Sequence, residues 1–174
     1  MIEFRAVTEA DLPLLSRWMH QPHWQEWWGD PETELGYVRD MLAGKDSTRP
    51  YLFQVDGSAA GYIQVWFIKD QLTPRWLAVA PWMKLVPEDS VGVDLSIGDG
   101  ASLSKGIGSA ALRAFVQGLL KAGHESILID PDPHNTRAVA AYRKAGFREI
   151  PDLIGKTGDS LIMQYQIEEG APFS

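Results

Sequence analysis

The sequence has no cysteine in its 174 residues. That excludes a disulfide framework, a thiolate nucleophile and a cysteine-ligated metal, and no metal is expected. No apolar run approaches the roughly 20 residues a bilayer requires. The N-terminus lacks the charged-then-apolar pattern of a signal peptide, so a cytoplasmic location with no membrane partner is expected. Cations are scarce: 16 Lys and Arg stand against 23 Asp and Glu, for a net charge of −7. Nucleic-acid binding needs clustered Lys and Arg to neutralise phosphates, so none is expected. An acidic chain permits a cationic small molecule, although plain solubility is the commoner reason for such a charge. Apolar residues make up 45% and charged residues 22%, as in an ordinary globular protein. With no repeat, linker or low-complexity stretch, residues 1–174 read as a single domain.

The chain alternates between strand and helix signals. Ile2 to Ala6 reads as a strand. Thr8 and Asp11 form a capping box before a helix with Leu12, Leu15 and Met19 on one face. His20 to Gly29 reads as a Trp-rich turn. Asp30-Pro31 is an N-cap and first helical residue for a helix reaching Ala43, closed by Gly44. Tyr51 to Val55 and Gly61 to Ile68 flank Asp56-Gly57, a hairpin signal. Gln71 to Asp89 shows no period and reads as a loop. Val91 to Ile97 is a fourth strand. A helix follows, with Ile107, Ala111, Ala114, Phe115, Gly118 and Leu119 on one face. Ser126 to Asp130 is a fifth strand. A helix begins after Asn135, and Arg148 to Asp152 with Ser160 to Glu168 form a closing pair. The order is that of an α/β protein.

The richest segment is Val91 to Phe147. A strand leads into Ser104-Lys105-Gly106-Ile107-Gly108-Ser109, which opens a long helix. Glycines at such a junction let backbone N–H groups approach an anion, and the helix N-terminus adds partial positive charge. This predicts a phosphate cradle. A Walker loop is excluded, because no G-x-x-x-x-G-K-[ST] run exists. A dinucleotide fingerprint fits poorly, because Ala111 stands where a third glycine belongs. Leu103-Ser104-Lys105-Gly106-Ile107-Gly108 matches [QR]-x-x-G-x-[GA] except at Leu103. Further on, Asn135-Thr136-Arg137-Ala138 and Tyr142-Arg143-Lys144-Ala145-Gly146-Phe147 follow N-x-x-A-x-x-x-Y-x-x-x-G-F.

Together, in this order and spacing, these two signatures resemble those of the GNAT N-acetyltransferase superfamily, across nearly the whole chain. The resemblance implies acetyl-CoA as cofactor. It also implies a central, mostly antiparallel sheet flanked by helices, with strands four and five splayed apart. It places the diphosphate on the backbone of Ser104, Lys105, Gly106, Ile107, Gly108 and Ser109, and the thioester beside Leu95 and Ser96. Lys105 either adds charge to a phosphate or is solvated. Asn135 serves as helix cap, cofactor contact or both. Tyr142 stands where the family places the group that protonates the leaving thiolate. Asp94 shares a strand face with Ser96, where a carboxylate is costly unless it meets a cleft or a cation. The resemblance implies a base or an amine-orienting group there. Asp130 either binds a substrate ammonium or starts the Pro-rich turn.

A closer similarity is to the aminoglycoside 6'-N-acetyltransferases. Glu26-Trp27-Trp28-Gly29, Asp94, the glycine loop and Asp130-Pro131-Asp132-Pro133-His134-Asn135 carry it. It implies an antibiotic amine as substrate, with Trp27, Trp28 and Trp82 walling an acidic cleft, in a monomer or homodimer. The loop before strand four departs from that pattern, since Trp82 to Asp89 has acids only at its end. Arg17 to Trp24 also resembles the siderophore-pathway N-acyltransferases, which acylate a hydroxylamine. In that reading His20 or His23 serves the site. A non-catalytic acyl-CoA-binding module is the third alternative. Asp94, Tyr142 and the glycine loop argue against it, because a pure binder needs neither acid nor base.

Overall fold

The computed structural model describes residues 1–168. Seven strands form one sheet: β1 (Ile2–Ala6), β2 (Arg49–Val55), β3 (Ser58–Phe67), β4 (Val91–Ile97), β5 (Ile127–Ile129), β6 (Phe147–Glu149) and β7 (Met163–Tyr165). Their order is β1-β2-β3-β4-β5-β7-β6, and every neighbouring pair is antiparallel except β4 with β5. Asp56 and Gly57 both have positive φ, which gives the β2–β3 turn the twist a tight hairpin needs.

The helices are α1 (Leu12–Met19), α2 (Pro22–Trp28), α3 (Pro31–Leu42), α4 (Ile68–Gln71), α5 (Pro74–Val79), α6 (Ile107–Lys121) and α7 (Thr136–Ala145). The expected capping box at Thr8 and Asp11 is present, on a short 3-10 turn ahead of α1. Asp30 caps α3 by accepting from the Thr33 amide at 2.9 Å. Two segments read as irregular are helical. His20 to Gly29 contains α2, and Gln71 to Asp89 contains α5 and a 3-10 turn at Pro81–Leu85. Both α2 and α5 begin with proline at the first helical position, where its missing N–H costs nothing. The buried face of α6 also differs. Leu112 and Val116 are buried, while Ala114 and Gly118 are exposed. The closing strands are shorter than the sequence suggested.

Alternation along the strands sorts the core. Phe53, Ile63, Val65, Val93 and Leu95 pack under α6 and α7 with Leu112, Phe115 and Tyr142. On the opposite face Leu52 and Tyr62 pack with Leu15, Trp24, Leu35 and Val38 from α1 to α3. A third cluster of Ile68, Trp82, Met83, Leu128, Leu153 and Ile162 closes one end.

The break in the sheet positions everything that follows. β4 pairs with β3 along its whole length, from Val91 to Ile97. It meets β5 only at Val91 and Gly92. Val93 to Ile97 therefore present an unpaired backbone edge on the β5 side, and the two strands diverge there. No helix among the described residues is long and apolar enough to cross a membrane.

Candidate active site

A cleft of about 840 Å³ opens where β4 leaves β5. Leu95, Ser96 and Ile97 form its middle, the loop from Leu103 to Ser109 one end, and α3, β3 and the start of the β5–α7 loop the other.

At the loop end the backbone turns sharply. Ser104 has φ +60° and Gly106 φ +79°, a left-handed conformation that a side chain at Gly106 would strain. Gly106 begins α6, whose first-turn N–H groups have no carbonyl one turn back to accept them. Ser104, Gly106, Gly108 and Ser109 line the cleft, as do Leu103 and Asn135. Lys105 is exposed and stands outside the lining, and Ile107 packs its side chain against the core. Lys144 approaches from α7, with its Nζ 3.8 Å from where a Cβ on Gly106 would sit, and Arg137 lines the cleft nearby. Asn135 caps α7, accepting from the Ala138 amide at 3.2 Å. A left-handed turn, open helix N–H groups, two cations and a free strand edge fit a diphosphate joined to an amide-bearing chain.

The other end is acidic. Asp94 and Gln64 are direct cross-strand partners, and Gln64 Nε2 donates to Asp94 Oδ2 at 2.9 Å. Burial pushes the Asp94 carboxyl up from its ordinary value, with Gln64 and the Trp66 indole acting the other way. Asp130 follows β5 directly. Burial, then the charge of Asp94, pushes it well up. Glu34 on α3 was not singled out from sequence. It reaches the same cleft, and burial, Asp94 and Asp30 together push it up to about 7. The four ion pairs among the described residues lie elsewhere, so none of these three carboxylates has a cationic partner among those residues. Asp46 also lines this end.

Tyr142 is 9% exposed and lines the cleft from α7. Burial, followed by the charges of Asp94 and Asp130, pushes its phenol up, so it stays protonated. Trp27 stands at the rim, 38% exposed. Trp28 packs edge-on against Tyr62 at 5.9 Å, half in the core. Trp82 is largely core, with an edge at the cleft and a T-shaped contact to Trp66 at 6.4 Å. Trp66 and Trp76, also unmarked from sequence, line the cleft. His23 is in the lining, its Nε2 2.8 Å from the Ile97 carbonyl. His20 is exposed and bonded to the Ser16 carbonyl, outside the cleft.

Residues 7–153 match the family model of the acetyltransferase (GNAT) domain. The chain belongs to the GNAT acetyltransferases. Members of this family take their acetyl group from acetyl-CoA, whose diphosphate and amides the loop and strand edge described above would hold. Among GNAT relatives, an aminoglycoside N(6')-acetyltransferase type 1 from Klebsiella pneumoniae is 29% identical over 170 residues, covering 93% of this chain and 81% of that one. An N-hydroxyputrescine acetyltransferase from Acinetobacter baumannii is 36% identical over 92 residues, 49% of this chain and 44% of that one. Among solved structures, the aminoglycoside acetyltransferase AAC(6')-Ib in complex with paromomycin and acetyl-CoA superposes with a TM-score of 0.78. It is 26% identical, and the match covers 95% of this chain and 93% of that one.

Proposed function

We propose that this GNAT enzyme acetylates a primary amine on a polycationic small molecule, with an aminoglycoside 6'-amine as the first candidate. The observation that carries the reading is the set of three carboxylates, Glu34, Asp94 and Asp130, gathered at one end of the cleft without cationic partners among the described residues. Like charges raise one another's pKa values, and a bound ammonium relieves that repulsion. The low-dielectric walls focus their field on a cation. Relatives named for aminoglycoside acetylation along most of the chain support the same acceptor.

When bound, acetyl-CoA supplies the acetyl group as an activated thioester. The backbone N–H groups from Ser104 to Ser109 and the α6 N-terminus bind its diphosphate, helped by Lys144 and Arg137. The free edge at Leu95 and Ser96 offers amide and carbonyl groups to the remaining chain. Asp94 orients the acceptor amine and takes a proton from it, a role its raised pKa suits. Tyr142 holds a proton at Oη for the departing thiolate, which leaves as the thiol. Trp27 and Trp28 cover the acceptor, and Glu34 and Asp130 bind its further ammonium groups.

The departure noted in the Trp82–Asp89 loop does not remove acidity from this cleft, because α3 contributes Glu34 instead. A second reading, acylation of an N-hydroxylated diamine, is favoured by the N-hydroxyputrescine relative. Acetyl-CoA-dependent thiol release, screened over kanamycin, tobramycin, spermidine and N-hydroxyputrescine, separates the two. Release with the aminoglycosides, lost in Asp94→Asn, is expected. Release with N-hydroxyputrescine alone would move the acceptor to the second class. No release with any amine, while CoA still binds, would reject both.

A further inference from the structure

A chain of hydrogen bonds runs along β3 at the acceptor end of the cleft, where Tyr62 and Gln64 are part of the lining. Tyr62 Oη donates to Gln64 Oε1 at 2.6 Å, and Gln64 Nε2 donates to Asp94 Oδ2 at 2.9 Å. Tyr62 is 1% exposed, and on β3 it shares a face with Gln64, opposite Ser96 and Asp94 of β4. A buried phenol needs an acceptor for its proton. Besides Gln64 Oε1, the one neighbour that takes the Tyr62 proton is Met41 Sδ at 3.8 Å, a weak acceptor. The Gln64 carbonyl is thereby committed to Tyr62, and its NH₂ must face Asp94. The amide cannot flip without stranding the phenol proton or setting two carbonyl-type oxygens against each other.

We propose that Tyr62 and Gln64 are positioning residues that hold Asp94 by Oδ2, so that Oδ1 is left for the acceptor amine and the carboxylate form is favoured. The inference rests on the assignment of Asp94 to the acceptor. Other titratable groups face this carboxylate: Glu34 from α3, Asp130 after β5 and Tyr142 from α7, while Asp46, from the loop before β2, lies near Tyr62. The acids among them disfavour the carboxylate form. The Gln64 amide, with the Trp66 indole, opposes them, because a donor to the charged form stabilises it.

The test needs no knowledge of the acceptor. Protein labelled with ¹³C at aspartate carboxyls is titrated by NMR, and the Asp94 signal is assigned by its loss in Asp94→Asn. In Gln64→Leu the Asp94 midpoint should move up by about one pH unit or more. In Tyr62→Phe the amide is free to flip, and a smaller upward shift is expected. With kanamycin as acceptor, the acid limb of kcat/KM should move with the NMR midpoint. An Asp94 midpoint unchanged in both folded variants would overturn the inference and leave Gln64 as packing. Should Gln64→Leu not fold, Tyr62→Phe alone decides, since it deletes one hydroxyl. Failure of the proposed acceptor role is distinguishable. Asp94→Asn would then keep full activity, while the midpoint in the free protein would still report on the Tyr62–Gln64 chain.

Discussion

Tyr142 and Glu34 show how far one side chain is governed by where the fold puts it. Tyr142 is kept neutral by burial and by the charges of Asp94 and Asp130, which suits the proton-donor role proposed for it. Tyr142→Phe keeps the ring that α7 packs into the core and removes the proton. Turnover should fall about 100-fold or more, the range of general acid catalysis. The dissociation constant for CoA should stay within about twofold by titration calorimetry. Parallel losses in both would assign Tyr142 to binding. Glu34 is the reverse case, a carboxylate whose ionisation weakens the fold. Its folded pKa of about 7 exceeds the ordinary 4.5, so the folded state holds the extra proton between those values. Stability from this group is full below about pH 4.5 and is lost as pH rises through 7. Glu34→Gln should therefore stabilise the free protein at pH 8, by about 1–2 kcal/mol once solvent screening is allowed for. The melting temperature should rise by about 2–6 °C at pH 8 and by nothing at pH 4.5. The same variant should bind a polyamine more weakly at pH 8. Equal melting temperatures at both pH values would show that Glu34 is not held in a costly environment.

Among the elements, β4 is the one on which the site depends, and its sequence shows why. Val91, Val93 and Leu95 pack in the core under α6 and α7, while Gly92, Asp94 and Ser96 alternate onto the other face, where Asp94 and Ser96 line the cleft. Gly92 lies beneath the Trp66 indole, so a Cβ there would come within 2.0 Å of Trp66 Cε2. Gly92→Ala must displace that ring, which also touches Trp82. The expected cost is about 1–3 kcal/mol in urea unfolding, as for overpacking elsewhere. The acceptor KM should rise while CoA affinity holds, because the loop end is remote from Trp66. An unchanged acceptor KM would mean that Trp66 does not shape the acceptor end. Much of this element was legible in the sequence: its strand character, its two-sided burial and the placement of Asp94. So were the glycine loop, Asn135 and Tyr142, because their motifs are local in the chain. Glu34, Asp46 and Gln64 were not. They lie 30 to 60 residues before Asp94, and sheet register and the packing of α3 bring them to it. Helices α2 and α5 were missed because segments of seven and six residues are too short to show a period. Their proline starts were the signal available, the same one that marked α3. The face of α6 was misjudged because small residues, Ala114 and Gly118, fit a buried or an exposed position equally well.

At the scale of the whole molecule the cleft is electrically divided. One end holds the α6 N-terminus, Lys144 and Arg137, and the other Glu34, Asp46, Asp94 and Asp130. Under the proposed function, an anionic cofactor and a cationic acceptor would be drawn to opposite ends of one cavity and meet at the open edge of β4. The net charge of −7 adds a long-range pull on the acceptor and a slight push on the cofactor. Salt distinguishes these contributions. Between 0.05 and 0.5 M NaCl the screening length falls from about 14 to about 4 Å. That removes the field of the distant charges and much of that of the cleft. KM for kanamycin, with its several ammonium groups, should rise roughly tenfold or more over this range. KM for a monoamine of similar ring structure should rise far less, because it meets one carboxylate and not four. CoA affinity should change least, since backbone N–H groups in direct contact carry its diphosphate and screening acts weakly at contact distance. An equal salt response for the polycation and the monoamine would mean that the carboxylates act one at a time. The acidic end would then be a catalytic pocket without a role in selecting polycations.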